Sequence, residues 1–225
     1  METEQAPSSL PILGIQLLSI GWTGCAIGTI VFGMRIYVNF AMTRKWDAAF
    51  WFSLATYITC LAATITMNFA AEYGLGNHVG DLQASSRESA LKYRWFFSGT
   101  AIFAIGLGKL AIISYLIIIQ GDTLKVKPFR KWFMYFLAYT NLFVCVGITP
   151  LLWKQCQPTA KLWDESLEGH CFGRRRYQIF AYFWSSYEAA LDIVLSLYPI
   201  TIFWSLQLSI HIKIGLVFLF ATGLL

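Results

Sequence analysis

Long, nearly uninterrupted apolar runs separated by short polar stretches dominate this chain. Five of them (Ile12–Met34, Ala48–Ala71, Trp95–Ile119, Trp132–Trp153 and Tyr177–Leu206) reach the roughly 20 residues that a helix needs to cross a bilayer core of about 30 Å. A sixth opens near Ile210, and the chain reaches Leu225 while still apolar. Beyond Ile214 only about 18 Å of helix remains at 1.5 Å per residue, too little for a crossing. The pattern predicts an all-α, polytopic transmembrane helix bundle with five full spans plus a partial sixth, in a chain truncated at its C-terminus. Residues 1–11 are expected to form an N-terminal extracellular tail, and residues 12–225 the bundle.

Barrel strands are excluded, because they alternate apolar and polar over about ten residues and these runs do not. Gly21, Gly24, Gly28, Gly33, Pro150 and Pro199 lie inside the runs, as membrane helices tolerate. Trp46, Trp95, Trp132, Trp153 and Trp204 mark ends, consistent with interfacial aromatic belts. The first run is a retained helix and not a cleaved leader, since residues 1–34 contain no Lys or Arg and the run exceeds a signal-peptide apolar region.

Composition narrows the class further. Of 225 residues, 57% are hydrophobic and 13% charged, against about 25% charged in a typical soluble domain. Such a chain cannot clothe a water-facing surface, so soluble, disordered and disulfide-dense secreted classes are excluded. The net charge of +5 resides in loops and helix ends and points to lipid phosphates, with no role for nucleic acid. With the N-terminus outside, the inner loops carry Arg35, Arg44, Lys45, Lys125, Lys127, Arg130, Lys131 and Lys213. The outer loops carry Arg87, Lys92, Arg94, Lys154, Lys161 and Arg174–Arg176. Short loops weigh most in setting orientation, which favours an outside N-terminus; the Arg174–Arg176 run argues the other way.

Of the 5 cysteines, Cys25, Cys60 and Cys145 lie in apolar runs, where a thiol is a small hydrophobe. Cys156 and Cys171 share a polar loop and suit a disulfide if that loop faces an oxidising compartment; the alternative is two free thiols.

Ionisable groups at membrane depth are costly, which makes each a functional candidate. Three qualify: Lys109, Glu188 and Asp192. Lys109 and Asp192 each lie about fourteen residues into spans running in the same direction, or roughly 21 Å along the helix, so they fall at similar depth. Glu188 shares the face of Asp192 one turn away. A Lys109–Asp192 or Lys109–Glu188 pair is expected if the third and fifth helices are neighbours. It would act as a structural clamp, a ligand- or ion-responsive switch, or part of a proton relay.

Tyr73-Gly74-Leu75-Gly76-Asn77-His78 closes the second run. Its glycines permit positive φ at a helix end, and His78 is either an interfacial histidine or a ligand or pH contact. The Arg174–Arg176 run is either a lipid-headgroup anchor or an anion site. No metal-ligand set, P-loop, Gly-x-Ser-x-Gly or His-Glu-x-x-His occurs, and His78, His170 and His211 sit in separate loops. The expectation is a non-enzymatic protein without cofactor or metal.

Several of these segments resemble the fungal rhodopsin-domain family. They are Tyr73 to His78; Leu107-Gly108-Lys109 followed by Tyr115; Cys156-Gln157-Pro158 with Trp163 and Cys171; Asp192 with Pro199 and Trp204-Ser205-Leu206; and Lys213 through Phe218 and Gly223. The resemblance runs from about Ile12 to the end. It implies a seven-helix bundle with an outside N-terminus, a bridged fourth loop and a receptor-like role, and hence a seventh helix and tail missing here. The sequence departs from the family pattern at Asp47, which stands alone where two acids are frequent, and after Tyr115, where no arginine follows. No cysteine-rich ectodomain precedes the first span. Retinal chemistry is not implied, because Lys109 lies in the wrong helix and Lys213 at a helix end. The function expected is plasma-membrane sensing of a small or lipidic ligand, with an intracellular signalling partner such as a G protein. The alternative is a transporter or channel using Lys109, Glu188 and Asp192.

Overall fold

The computed structural model describes residues 12–43, 46–77, 83–123, 128–164, 166–171 and 174–204. His78, the N-terminal tail and the sixth run from Ile210 lie outside them. The described chain is mostly helical: α1 (Ile12–Val38, continued by a π turn at Asn39–Thr43), α2 (Ala48–Glu72), α3 (Ala84–Thr123), α4 (Pro128–Trp153) and α5 (Arg174–Trp204). Between α4 and α5 a two-stranded antiparallel ladder pairs β1 (Cys156–Gln157) with β2 (His170–Cys171), enclosing a 3₁₀ turn at Thr159–Leu162.

Among the described residues, four helices are long and apolar enough to cross a membrane, over Gly14–Ala41, Ala48–Glu72, Ser85–Gln120 and Pro128–Trp153. Helix α5 is long enough at 31 residues, but Arg174–Arg176, Ser185, Ser186, Glu188 and Asp192 make it the more polar rod. Large apolar side chains face outward along the bundle, with Phe143 80% exposed and Ile20 71%. Hydrocarbon and not water is the solvent that such a surface suits.

Helix α3 is the hub, packing against α2, α4 and α5, while α1 leans on α2. Phe32 of α1 stacks on Tyr57 of α2 at 4.9 Å, and Thr29 shares a 3.0 Å hydrogen bond with the Tyr57 hydroxyl. Arg35 of α1 lies 5.6 Å from the centre of the Tyr115 ring of α3. Close approach between α3 and α4 depends on Gly106, where an added Cβ would meet Cys145 Sγ at 2.9 Å. The main apolar core joins Ile113 and Leu116 of α3, Met134 and Leu137 of α4, and Leu191, Leu195 and Tyr198 of α5.

The end of α2 is capped by its own turn. Gly74 N–H donates to Ala71 O at 2.9 Å, and the φ of 95° at Gly74 turns the chain so that Leu75 N–H reaches Ala70 O at 3.0 Å. Tyr73 then stacks on Tyr93 of α3 at 5.4 Å. Cys156 and Cys171, opposite each other in the small ladder, form a disulfide. The enclosed loop is fastened to α3 by the Trp95 indole N–H, which donates to Leu162 O at 3.1 Å.

Candidate functional site

Lys109 lies part-way along α3 on the face turned toward α5 and is only 6% exposed. Its ammonium has three protons to place, and α5 supplies acceptors for them. Nζ donates to the backbone carbonyl of Glu188 at 2.8 Å, pairs with Glu188 Oε2, and lies 3.1 Å from Asp192 Oδ1. Glu188 and Asp192 stand four residues apart on a helix, so one cation can engage both. The two acids are not equivalent. The Glu188 side chain is 11% exposed, whereas the Asp192 side chain is 36% exposed. Two carboxylates against one ammonium leave the cluster formally one unit negative, and Glu188 Oε1 has no hydrogen-bond partner among the described residues.

Desolvating three charges is expensive, and pairing offsets the cost only where the remaining donors and acceptors are engaged. The surrounding seam also carries uncharged polar contacts, none of which reaches the carboxylates. Fully buried Asn141 of α4 donates from Nδ2 to Gly106 O at 2.9 Å, one turn from Lys109. Tyr187 donates to Thr140 Oγ1 at 3.3 Å, tying α5 to α4 beside the cluster. Further along, Gln120 of α3 donates to the Tyr198 hydroxyl at 2.8 Å, which in turn donates to Arg130 O at 3.5 Å. Composition and spacing single out Lys109, Glu188 and Asp192. They do not single out Asn141, Gln120 or Tyr198, uncharged groups whose partners exist only in three dimensions.

Toward the disulfide-bearing end, α3, α4 and α5 part to form a cavity of about 330 Å³. Its body is apolar, walled by Ile102, Ile148, Leu151, Leu152, Phe180 and Trp184, and Ser98, Gln155 and Arg176 add polar groups. Trp184 precedes Glu188 by one helical turn, and Ile102 precedes Lys109 by about two. The cavity and the ionic cluster therefore lie end to end along the same two helices. Cys156 and Cys171, the remaining predicted pair, close the loop between α4 and α5. Tyr73, Gly74 and Gly76 form the separate turn at the end of α2, and His78 lies outside the described residues. No group of three or more His, Cys, Asp or Glu side chains able to hold a metal occurs among the described residues.

Long apolar helices with outward-facing aliphatic and aromatic side chains, and charges neutralised between them, define an integral membrane protein of the polytopic helical class. More narrowly, the chain belongs to the fungal rhodopsin domain family, whose family model matches residues 34–225. It is similar to a SAT4 family membrane protein of Emericella nidulans, with 34% identity over 70 residues, covering 31% of this chain and 18% of that protein. It is also similar to the polyenoic acids biosynthesis gene cluster protein Ba17b of Metarhizium anisopliae, with 24% identity over 207 residues, covering 86% of this chain and 52% of that protein. The chain thus spans about half, or less, of the length of these curated relatives. No solved structure matches it.

Proposed function

We propose that this is a receptor-like, non-enzymatic protein of the plasma membrane that senses a small or lipidic ligand between its helices. It would pass the change to an intracellular partner such as a G protein. In this reading α5 is a fifth span, a sixth begins near Ile210, the N-terminus lies outside, and the disulfide loop faces the exterior. The observation that supports it most is the adjacency of cavity and ionic cluster on α5. Trp184 lines the cavity one turn before Glu188, so an occupant that displaces this stretch of α5 pulls on the carboxylates gripping Lys109. The name of the Metarhizium relative adds a chemical hint, since polyenoic acids join a long apolar chain to an acidic head.

A second reading, transport or conduction through the same cluster, draws on two observations: Glu188 Oε1 has no hydrogen-bond partner among the described residues, and Asp192 is partly open. Resonance energy transfer between the tagged protein and a G-protein α subunit, in fungal membranes challenged with a panel of hydrophobic small molecules, separates the two. Sensing predicts an evoked change that disappears in Glu188→Gln while surface expression persists. Flux into proteoliposomes that is lost in Asp192→Asn, with no evoked signal, would favour transport.

A further inference from the structure

The two ends of the bundle differ in how their charges are matched. Residues 35–47 and 120–131, at the end away from the disulfide, hold seven Lys or Arg against two Asp, whereas residues 72–94 and 154–176 hold eight against six acids. Unmatched positive charge therefore gathers where α4 begins. Arg130 and Lys131 stand in the first turn of α4, which contains no acidic residue, and both are exposed. The helix macrodipole disfavours cations at that end, so the pair does not serve helix stability. The Tyr198 hydroxyl donates to the backbone carbonyl of Arg130 and not to its guanidinium, and neither cation is in a salt bridge among the described residues.

From that pair, one face of α4 runs along the bundle uncovered by the other described helices. Phe129, Trp132, Phe136, Tyr139 and Phe143 recur every three or four residues and so share a face, and each is at least 61% exposed. Packing against α3 and α5 uses the opposite side, through Met134, Leu137 and Asn141. Trp132 to Phe143 spans about 16 Å at 1.5 Å per residue, the depth of one leaflet in a hydrocarbon core of about 30 Å.

We propose that this face binds an anionic phospholipid of the leaflet away from the disulfide, with its headgroup on Arg130 and Lys131 and its acyl chains along Phe136, Tyr139 and Phe143. Charge selects the headgroup, because a zwitterionic lipid brings its own ammonium toward the two cations and gains less from them. Geometry selects the lipid. A soluble anion would meet the cations and leave the aromatic stripe bare, and a partner protein in the aqueous phase would not reach Phe143, about 20 Å of helix beyond Arg130. Trp132 stands between headgroup and chains, the level at which tryptophan is enriched in membrane proteins. Neither the cavity nor the Lys109 cluster takes part, so this surface is independent of the sensor reading.

The test titrates the full chain, purified in detergent, with phosphatidylserine and with phosphatidylcholine of identical chains, and counts bound lipid by native mass spectrometry. The first phosphatidylserine is expected to bind roughly twentyfold more tightly, about fivefold for each cation. Arg130→Gln and Lys131→Gln should each remove about fivefold of that preference, and the double variant all of it. Lys154→Gln, at an exposed cation of the other end, should leave it unchanged. Tyr139→Ala combined with Phe143→Ala should weaken both lipids equally and keep the preference. If the double cation variant does not fold, raising the salt concentration on the native protein replaces it and should bring phosphatidylserine down toward phosphatidylcholine. Equal binding of the two lipids, or a preference that survives loss of both cations, overturns the headgroup assignment. Lipid affinities unmoved by the aromatic variant overturn the stripe, and competition by water-soluble glycerophosphoserine as strong as that of the lipid reveals a site for soluble anions and overturns the proposal. A dimer that excludes lipid and dissociates when Tyr139 and Phe143 are replaced assigns the face to a second copy and also overturns it.

Discussion

Helix α3 meets α2 on one side and α5 on the other, and the two contacts are made from different materials. Toward α2 the contacts are uncharged: a Cβ on Gly108 would touch Thr56 at 3.4 Å, and Phe69 of α2 stacks on Tyr93 of α3 at 5.4 Å. Toward α5 the contact is ionic, with Lys109 held between Glu188 and Asp192. Lipid is as apolar as leucine, so helices gain little by hiding aliphatic surface from it; close packing and polar contacts hold them together instead. The contrast lies in tolerance. Small-residue packing degrades gradually as side chains grow, whereas removing one member of a buried charge set strands the others.

The largest test of that contrast is Lys109→Ala, which leaves two neighbouring carboxylates without their cation. It should cost about 3–5 kcal/mol, seen as lost surface expression and a lowered melting temperature in detergent. Adding Glu188→Gln to that variant should recover part of the loss, and strict additivity would refute the coupling. Asp192→Asn alone should cost about 1 kcal/mol or less, because that side chain is 36% exposed and Glu188 still holds the ammonium.

Cys156→Ser leaves both helix contacts untouched and releases the loop that joins α4 to α5. With the cysteines 15 positions apart it should cost about 3 kcal/mol, measured by thermal melting with and without reductant. Gly106→Val drives a branched side chain at Cys145 and should cost about 1–3 kcal/mol. Gly108→Ala, facing Thr56 in ordinary contact, should be milder in the same assay, and an equal loss would erase the distinction between the α4 and α2 faces of α3. Tyr198→Phe deprives Gln120 of its acceptor and should also cost about 1 kcal/mol, read by melting temperature.

How far the sequence revealed these features depends on how each stands out from its background. Charged residues are rare in apolar runs, so Lys109, Glu188 and Asp192 could be selected, and equal depth brought them together on paper. Their ranking could not be read. Spacing placed Lys109 level with Asp192, yet the more buried partner is Glu188, because the lysine side chain reaches along the seam toward the disulfide end. Span limits followed apolarity where the helix stops with the apolar run, as at Ala48 and Trp153, and fell short where a polar helix continues past it. The start of α3 at Ala84, well before Trp95, is that case: Ser85 to Arg94 contains neither Gly nor Pro and nothing halts the helix. The Arg174–Arg176 run left two readings open, and the structure adds only that Arg176 lines the cavity between α3, α4 and α5. Asn141 against Gly106, and Gln120 against Tyr198, carried no linear signal.

The unbroken length of α3 has a mechanical consequence. Forty residues make a rod of about 60 Å, roughly twice the hydrocarbon thickness of a membrane. Its first turns, tethered through Trp95 to the bridged loop, form a mast standing in the aqueous phase. With no joint between mast and keel, a sideways push on the exposed turns is carried into the submerged ones, where the charged rivet at Lys109 stands in its path.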